Sequence, residues 1–176
     1  MGSNAIEYLS VRISAGDIEN ALRKSILSIY FDESSVPQVQ VPVGDFFGSA
    51  PGVNPYRSLP FSVVTDGTMI CRYSMPFRRS VRIEIENNTS EKIGIRGAIR
   101  TNNLKWQEGK TMHFRARWKM DHGLTASYFD RRNNNVPDIL YLMASGAGRV
   151  VGAAAYLYNP SNATTSWGNW WGEGDE

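Results

Sequence analysis

Apolar and polar residues alternate with a period of two along most of this chain. That predicts strands, because successive side chains leave a strand on opposite faces. Leu9, Val11 and Ile13 alternate with Ser10 and Arg12. Val39, Val41 and Val43 alternate with Gln40 and Pro42. Val81, Ile83 and Ile85 alternate with Arg82, Glu84 and Glu86; after the turn-forming Asn87-Asn88-Thr89-Ser90, Ile93, Ile95 and Ile99 resume the pattern. This pair of runs reads as a β-hairpin with a somewhat long loop. Met112, Phe114, Ala116 and Trp118 alternate with His113, Arg115, Arg117 and Lys119, which predicts a strand with Trp118 turned into the core. Further strands are predicted at Ser25 to Phe31, Phe61 to Thr65, Met69 to Tyr73, Ile139 to Met143 and Val150 to Tyr158.

One segment breaks the rule. Ile18, Leu22, Ser25, Ile26 and Ile29 follow a helical period, with Asp17 placed to cap the N-terminus. A short helix from Asp17 to Arg23, with strand taking over near Ser25, competes with an all-strand reading. About ten short strands separated by turns define an all-β chain: an antiparallel sandwich, jelly roll or barrel.

The chain has 176 residues, a single-domain length. A net charge of +2 is too small for a dedicated nucleic-acid binder. One cysteine, Cys71, excludes a disulfide scaffold and a cysteine-based zinc site. Cys71 reads as a packed thiol. The two histidines, His113 and His122, leave little for a multi-histidine metal centre. No cofactor is implied. The longest apolar stretches fall far short of a membrane span.

Two long loops, Gly44 to Pro60 and Pro160 to Glu176, hold the candidate chemistry. In the second, Trp170 and Trp171 offer flat faces suited to stacking on a sugar ring. Glu173 and Asp175 follow between glycines, and carboxylates beside such faces suit glycoside hydrolysis. The plainer reading is an acidic tail with the tryptophans as packing anchors. In the first loop, Asp45 sits between Gly44 and Phe46-Phe47-Gly48, as a ligand-binding acid or as an Asx-turn residue. Tyr56-Arg57-Ser58 is either a ligand-facing trio or ordinary loop polarity. Arg115, Arg117 and Lys119 read as a solvated strand face.

Several blocks, in order along the chain, resemble glycoside hydrolase family 172. They are Leu22-Arg23 with Ile29-Tyr30-Phe31-Asp32, Pro37 through Gly48, Tyr56 through Phe61, Met75 through Arg78, His113 through Trp118, and Trp170 through Glu176. The Gly-Asp-Phe-Phe-Gly and Trp-Trp-Gly-Glu-Gly-Asp-Glu blocks are long and chemically odd, which makes the resemblance specific.

The resemblance implies an all-β fold, an antiparallel jelly-roll sandwich forming one half of a double jelly roll. A jelly-roll domain is expected over residues 5–160, with 161–176 leading into a second one. It implies retaining cleavage of fructofuranosides or arabinofuranosides by two glutamates. Glu173 is the catalytic residue it carries over; Asp45, Trp170, Trp171 and Asp175 are the substrate-binding residues. It also implies a furanose-containing oligosaccharide as partner and a trimer-based homo-oligomer, with no nucleic acid and no membrane. The family's second acid lies in a Gly-Thr-Gly-Thr-Glu-Asp block that this sequence lacks. The chain is therefore expected to be an N-terminal fragment, inactive alone. A non-catalytic carbohydrate-binding or capsid-like assembly module is the alternative. The resemblance overrides the helix reading, because it makes Ser25 to Phe31 a strand.

Overall fold

The computed structural model describes residues 2–122 and 140–158. Its elements are β1 (Asn4–Ser14), α1 (Ile18–Lys24), β2 (Ser25–Phe31), β3 (Val39–Pro42), α2 (Val43–Phe46), β4 (Tyr56–Arg57), β5 (Phe61–Val63), β6 (Met69–Cys71), β7 (Met75–Phe77), β8 (Val81–Asn87), β9 (Gly94–Asn103) and β10 (Ala116–Arg117). The described residues are mostly β, as the alternation predicts.

Two sheets share one core. The first runs β4-β5-β6-β1, with β7 pairing the start of β1 and β9 pairing β1 along its whole length. The second runs β10-β3-β2-β8. All pairs are antiparallel except β10 with β3, which is parallel. The alternation sets what each sheet buries. Leu9, Val11, Ile13, Val63, Met69 and Cys71 of the first sheet face Leu27, Ile29, Phe31, Val39 and Val41 of the second. Truncating a fully buried side chain such as Phe31 to alanine costs about 3–5 kcal/mol, the sum of lost transfer energy and a residual cavity.

The Val81–Ile99 stretch is not a hairpin. Strand β8 pairs with β2 in one sheet, and β9 pairs with β1 in the other. Residues 88–93 therefore cross between sheets instead of closing a ladder. Alternation marks a half-buried strand but says nothing about its neighbour. The Glu91 carboxylate anchors this crossing by accepting from the Gly16 and Asp17 N–H groups, at 3.0 and 3.1 Å.

The helical period at Ile18 is real, and so is the strand after it. Asp17 caps α1 by accepting from the Asn20 N–H at 3.1 Å, and Arg23 and Lys24 fall in the last turn, where the helix dipole favours cations. The segment then turns directly into β2.

Three predicted strands are not borne out in full. Of the run from Met112 to Lys119, Ala116 and Arg117 alone form a strand. Leu140 to Met143 and Val150 to Tyr158 adopt no regular structure, and Leu140, Met143, Val150 and Tyr158 are more than half exposed. Strand propensity needs a ladder partner to take effect; Ala116 and Arg117 have one in β3, and among the described residues none pairs with 140–143 or 150–158.

Candidate functional site

The Gly-Asp-Phe-Phe-Gly block is built around α2. The ideal Cβ position on Gly44 lies 3.1 Å from the Leu22 Cβ, so glycine lets α1 and α2 approach closely. Phe46 and Phe47 turn into the core and meet edge to face, with centroids 4.9 Å apart. Gly48 follows in the left-handed region at φ +66°. The Tyr56 hydroxyl packs against it and donates to the Phe47 carbonyl at 2.6 Å. Ser49 closes the loop, its N–H donating to the Gly44 carbonyl at 2.7 Å.

This scaffold fixes Asp45. Its Oδ1 accepts from Arg23 Nη1 at 2.9 Å and from Trp118 Nε1 at 3.0 Å. Its Oδ2 is buried and has no partner among the described residues. Asp45 is therefore not an Asx-turn residue: its side chain reaches across the fold. Arg23 also lies over the Trp118 ring, 5.7 Å from its centroid. Trp118 is 37% exposed and not in the core, which corrects the expectation from its alternation. The strand that was to turn it inward ends at Arg117, and its indole N–H is drawn to a carboxylate instead. A carboxylate beside a partly exposed indole can accept sugar hydroxyls while the ring packs on sugar C–H groups.

Tyr56-Arg57-Ser58 splits. Tyr56 holds the Gly48 turn. Ser58 braces its own turn by hydrogen bonds to Phe61, and Arg57 is exposed. Arg115, Arg117 and Lys119 are exposed, as a solvated face should be. Cys71 is fully buried. Burial pushes its thiol up to about 11, against smaller lowering contributions from the Tyr73 N–H and Arg72.

A second polar cluster was not foreseen. Asp32, at φ +54°, accepts from the N–H groups of Arg78, Arg79 and Ser80 and pairs with His113 Nε2 at 2.7 Å. His113 stacks on Phe31, with centroids 5.6 Å apart, and Trp106 leans on its ring. Arg78 lies over Trp106 and pairs with Glu108. Asp32, Arg78 and His113 each fall in a block that carries the family resemblance, but nothing along the chain shows that they meet. Among the described residues no three histidine, cysteine or acidic side chains come together as metal ligands. The predicted Glu173, Trp170, Trp171 and Asp175 lie outside the described residues.

The fold is thus two β-sheets over one core, with a carboxylate and a partly exposed indole held together. The chain belongs to the GH172 domain-like family, whose model matches residues 3–98. That span includes the Gly-Asp-Phe-Phe-Gly block and Asp45. No curated protein matches the chain.

Proposed function

We propose that this chain is part of a retaining glycoside hydrolase that cleaves furanosides, with fructofuranose or arabinofuranose as the sugar. The observation that carries the reading is the state of Asp45. Asp45 and Arg23 lie inside the family-matched span; Arg23 and, from beyond that span, Trp118 hold one Asp45 carboxylate oxygen, and the other is buried with no partner among the described residues. An unmet acceptor gains most from a hydroxyl, and Oδ2, closed to solvent here, can take one only once it is uncovered. The two β-sheets over one core support a jelly-roll sandwich, one half of a double jelly roll.

In this reading Glu173 is one of two catalytic acids. One carboxylate attacks the anomeric carbon while the other protonates the leaving oxygen. The protonating group then takes a proton from the water that releases the sugar. Trp170 and Trp171 stack on the furanose, and Asp175 and Asp45 bind its hydroxyls. Trimer-based assembly places such sites near subunit boundaries.

The test is titration calorimetry of the chain with arabinofuranosides and fructofuranosides, alongside turnover of aryl furanosides by a protein that also carries the second acid. Asp45→Ala is expected to weaken binding at least tenfold. Glu173→Gln is expected to abolish turnover and spare binding. Turnover unchanged in Glu173→Gln overturns the catalytic assignment. Absence of furanoside binding favours an assembly module.

A further inference from the structure

The outer face of the first sheet carries five arginines. The register places them. Leu9 opposite Cys71 and Val11 opposite Met69 are buried pairs, so Ser10, Ile70, Arg12 and Arg72 face outward. Arg96 stands directly opposite Arg12, and Arg100 opposite Tyr8. Arg57 stands opposite Ser62, and Arg72 donates to the same Ser62 hydroxyl at 2.9 Å. The arginines surround Ser62, Ile70, Ser10 and Ala98, of which Ser10 and Ser62 are covered by their neighbours. Strand spacing makes this platform roughly 19 Å across and about 13 Å along the strands.

The charge on this face is largely uncompensated. Arg12 pairs with Asp66 at 3.3 Å, while Arg57, Arg96 and Arg100 pair with no acid among the described residues. Arg12 and Arg96 are like charges on directly opposed positions, an arrangement that costs stability.

We infer that this face binds an anionic polysaccharide, holding a polymer whose furanosidic bonds are cut elsewhere on the protein. The choice of a glycan rests on the glycosidase reading; the anionic character rests on the arginines. Guanidinium groups match carboxylates and related oxyanions as bidentate forks. Tyr8, the aromatic ring of this face, lies beneath Arg100 with the guanidinium 5.3 Å from its centroid. That leaves it a poor stacking platform for single-stranded nucleic acid.

The experiment is affinity electrophoresis of the full chain through gels containing polygalacturonate, dextran sulfate or neutral dextran, at several salt concentrations. One or both polyanions are expected to retard the chain, and neutral dextran is not. The Arg96→Gln/Arg100→Gln variant should bind at least tenfold more weakly, and its log–log salt slope should fall by about two. Both positions are exposed, and thermal unfolding checks that the variant folds; Arg57→Gln/Arg72→Gln is the second variant. Failure of both polyanions to bind, unchanged affinity in both variants, or tighter binding of duplex DNA overturns the inference. Asp45→Ala should leave polyanion binding intact. Loss of furanoside binding without loss of polyanion binding therefore separates this inference from the furanoside reading.

Discussion

His113 Nε2 lies 2.7 Å from Asp32 Oδ2, joining residues 81 positions apart. The contact ties the segment after β9 to the turn after β2. Three backbone N–H groups converge on the same carboxylate, so Asp32 organises the start of β8 as well.

Acid should weaken the fold through Asp32. Burial acts to raise its pKa, but the N–H groups of Arg79 and Arg78, the His113 ring and the Ser80 N–H together outweigh it and hold the carboxyl below 3.8. A depressed folded-state pKa contributes stability that is present above the unfolded value and lost as pH falls through the folded one. Urea midpoints should therefore drop between pH 5 and pH 2.5. Asp32→Asn, which tolerates the left-handed backbone, should be about 1–3 kcal/mol less stable at pH 6 and less sensitive to acid over that range. An equal acid sensitivity in the variant removes Asp32 from the account.

Gly48 should resist substitution. Its φ is +66°, and an added Cβ would stand 2.8 Å from the Tyr56 hydroxyl oxygen. Gly48→Ala is expected to lower stability by about 1–3 kcal/mol through backbone strain and displacement of Tyr56. Thermal unfolding reads this, and a Tm within a degree of the parent would contradict the described turn.

Asp45→Asn removes the charge that Arg23 pairs with, although it can still accept from the Trp118 indole. Arg23 is about one-third exposed, so the electrostatic loss is partly screened. A stability loss of about 1 kcal/mol is expected, larger for Asp45→Ala, which also leaves the indole N–H without its acceptor. Trp118→Phe, which deletes the indole donor but keeps an aromatic ring beside Arg23, should cost less than Asp45→Ala. Chemical denaturation of the three variants checks the order.

Cys71 should be silent in the native state. It is fully buried, and burial raises its thiol to about 11, so almost no thiolate forms at neutral pH. A thiol reagent at pH 8 is expected to react only after denaturant is added. Stoichiometric reaction of the folded protein would place the thiol at the surface.

Most strands were legible because their alternation mirrors burial: Leu9, Val11, Ile13 and Leu27, Ile29, Phe31 each read directly as one face. The helix at Ile18 was legible from its period and its Asp17 cap. What was not legible is pairing. Residues 81–87 and 94–103 look like one hairpin and belong to different sheets. Trp118 fits the inward phase of its run, but the strand ends at Arg117, and Asp45, far away in sequence, claims its N–H. The arginine face is likewise invisible along the chain, since its members come from β1, β4, β9 and the end of β6. Asp45 was singled out by its neighbours, whereas Arg23 and Trp118, its partners, were not.

The union of β1 with β9 has a consequence for how the protein is made. Asn4 meets Asn103, and Ser14 meets Gly94. Strand β1 thus waits for one of the last described strands before its second edge is covered. Ladders this distant in sequence close slowly, because chain entropy is lost before contacts repay it. During synthesis β1, with its buried Ile6, Leu9 and Val11, keeps an open edge until β9 emerges. Nascent-chain protection and early misassembly are therefore expected to centre on β1.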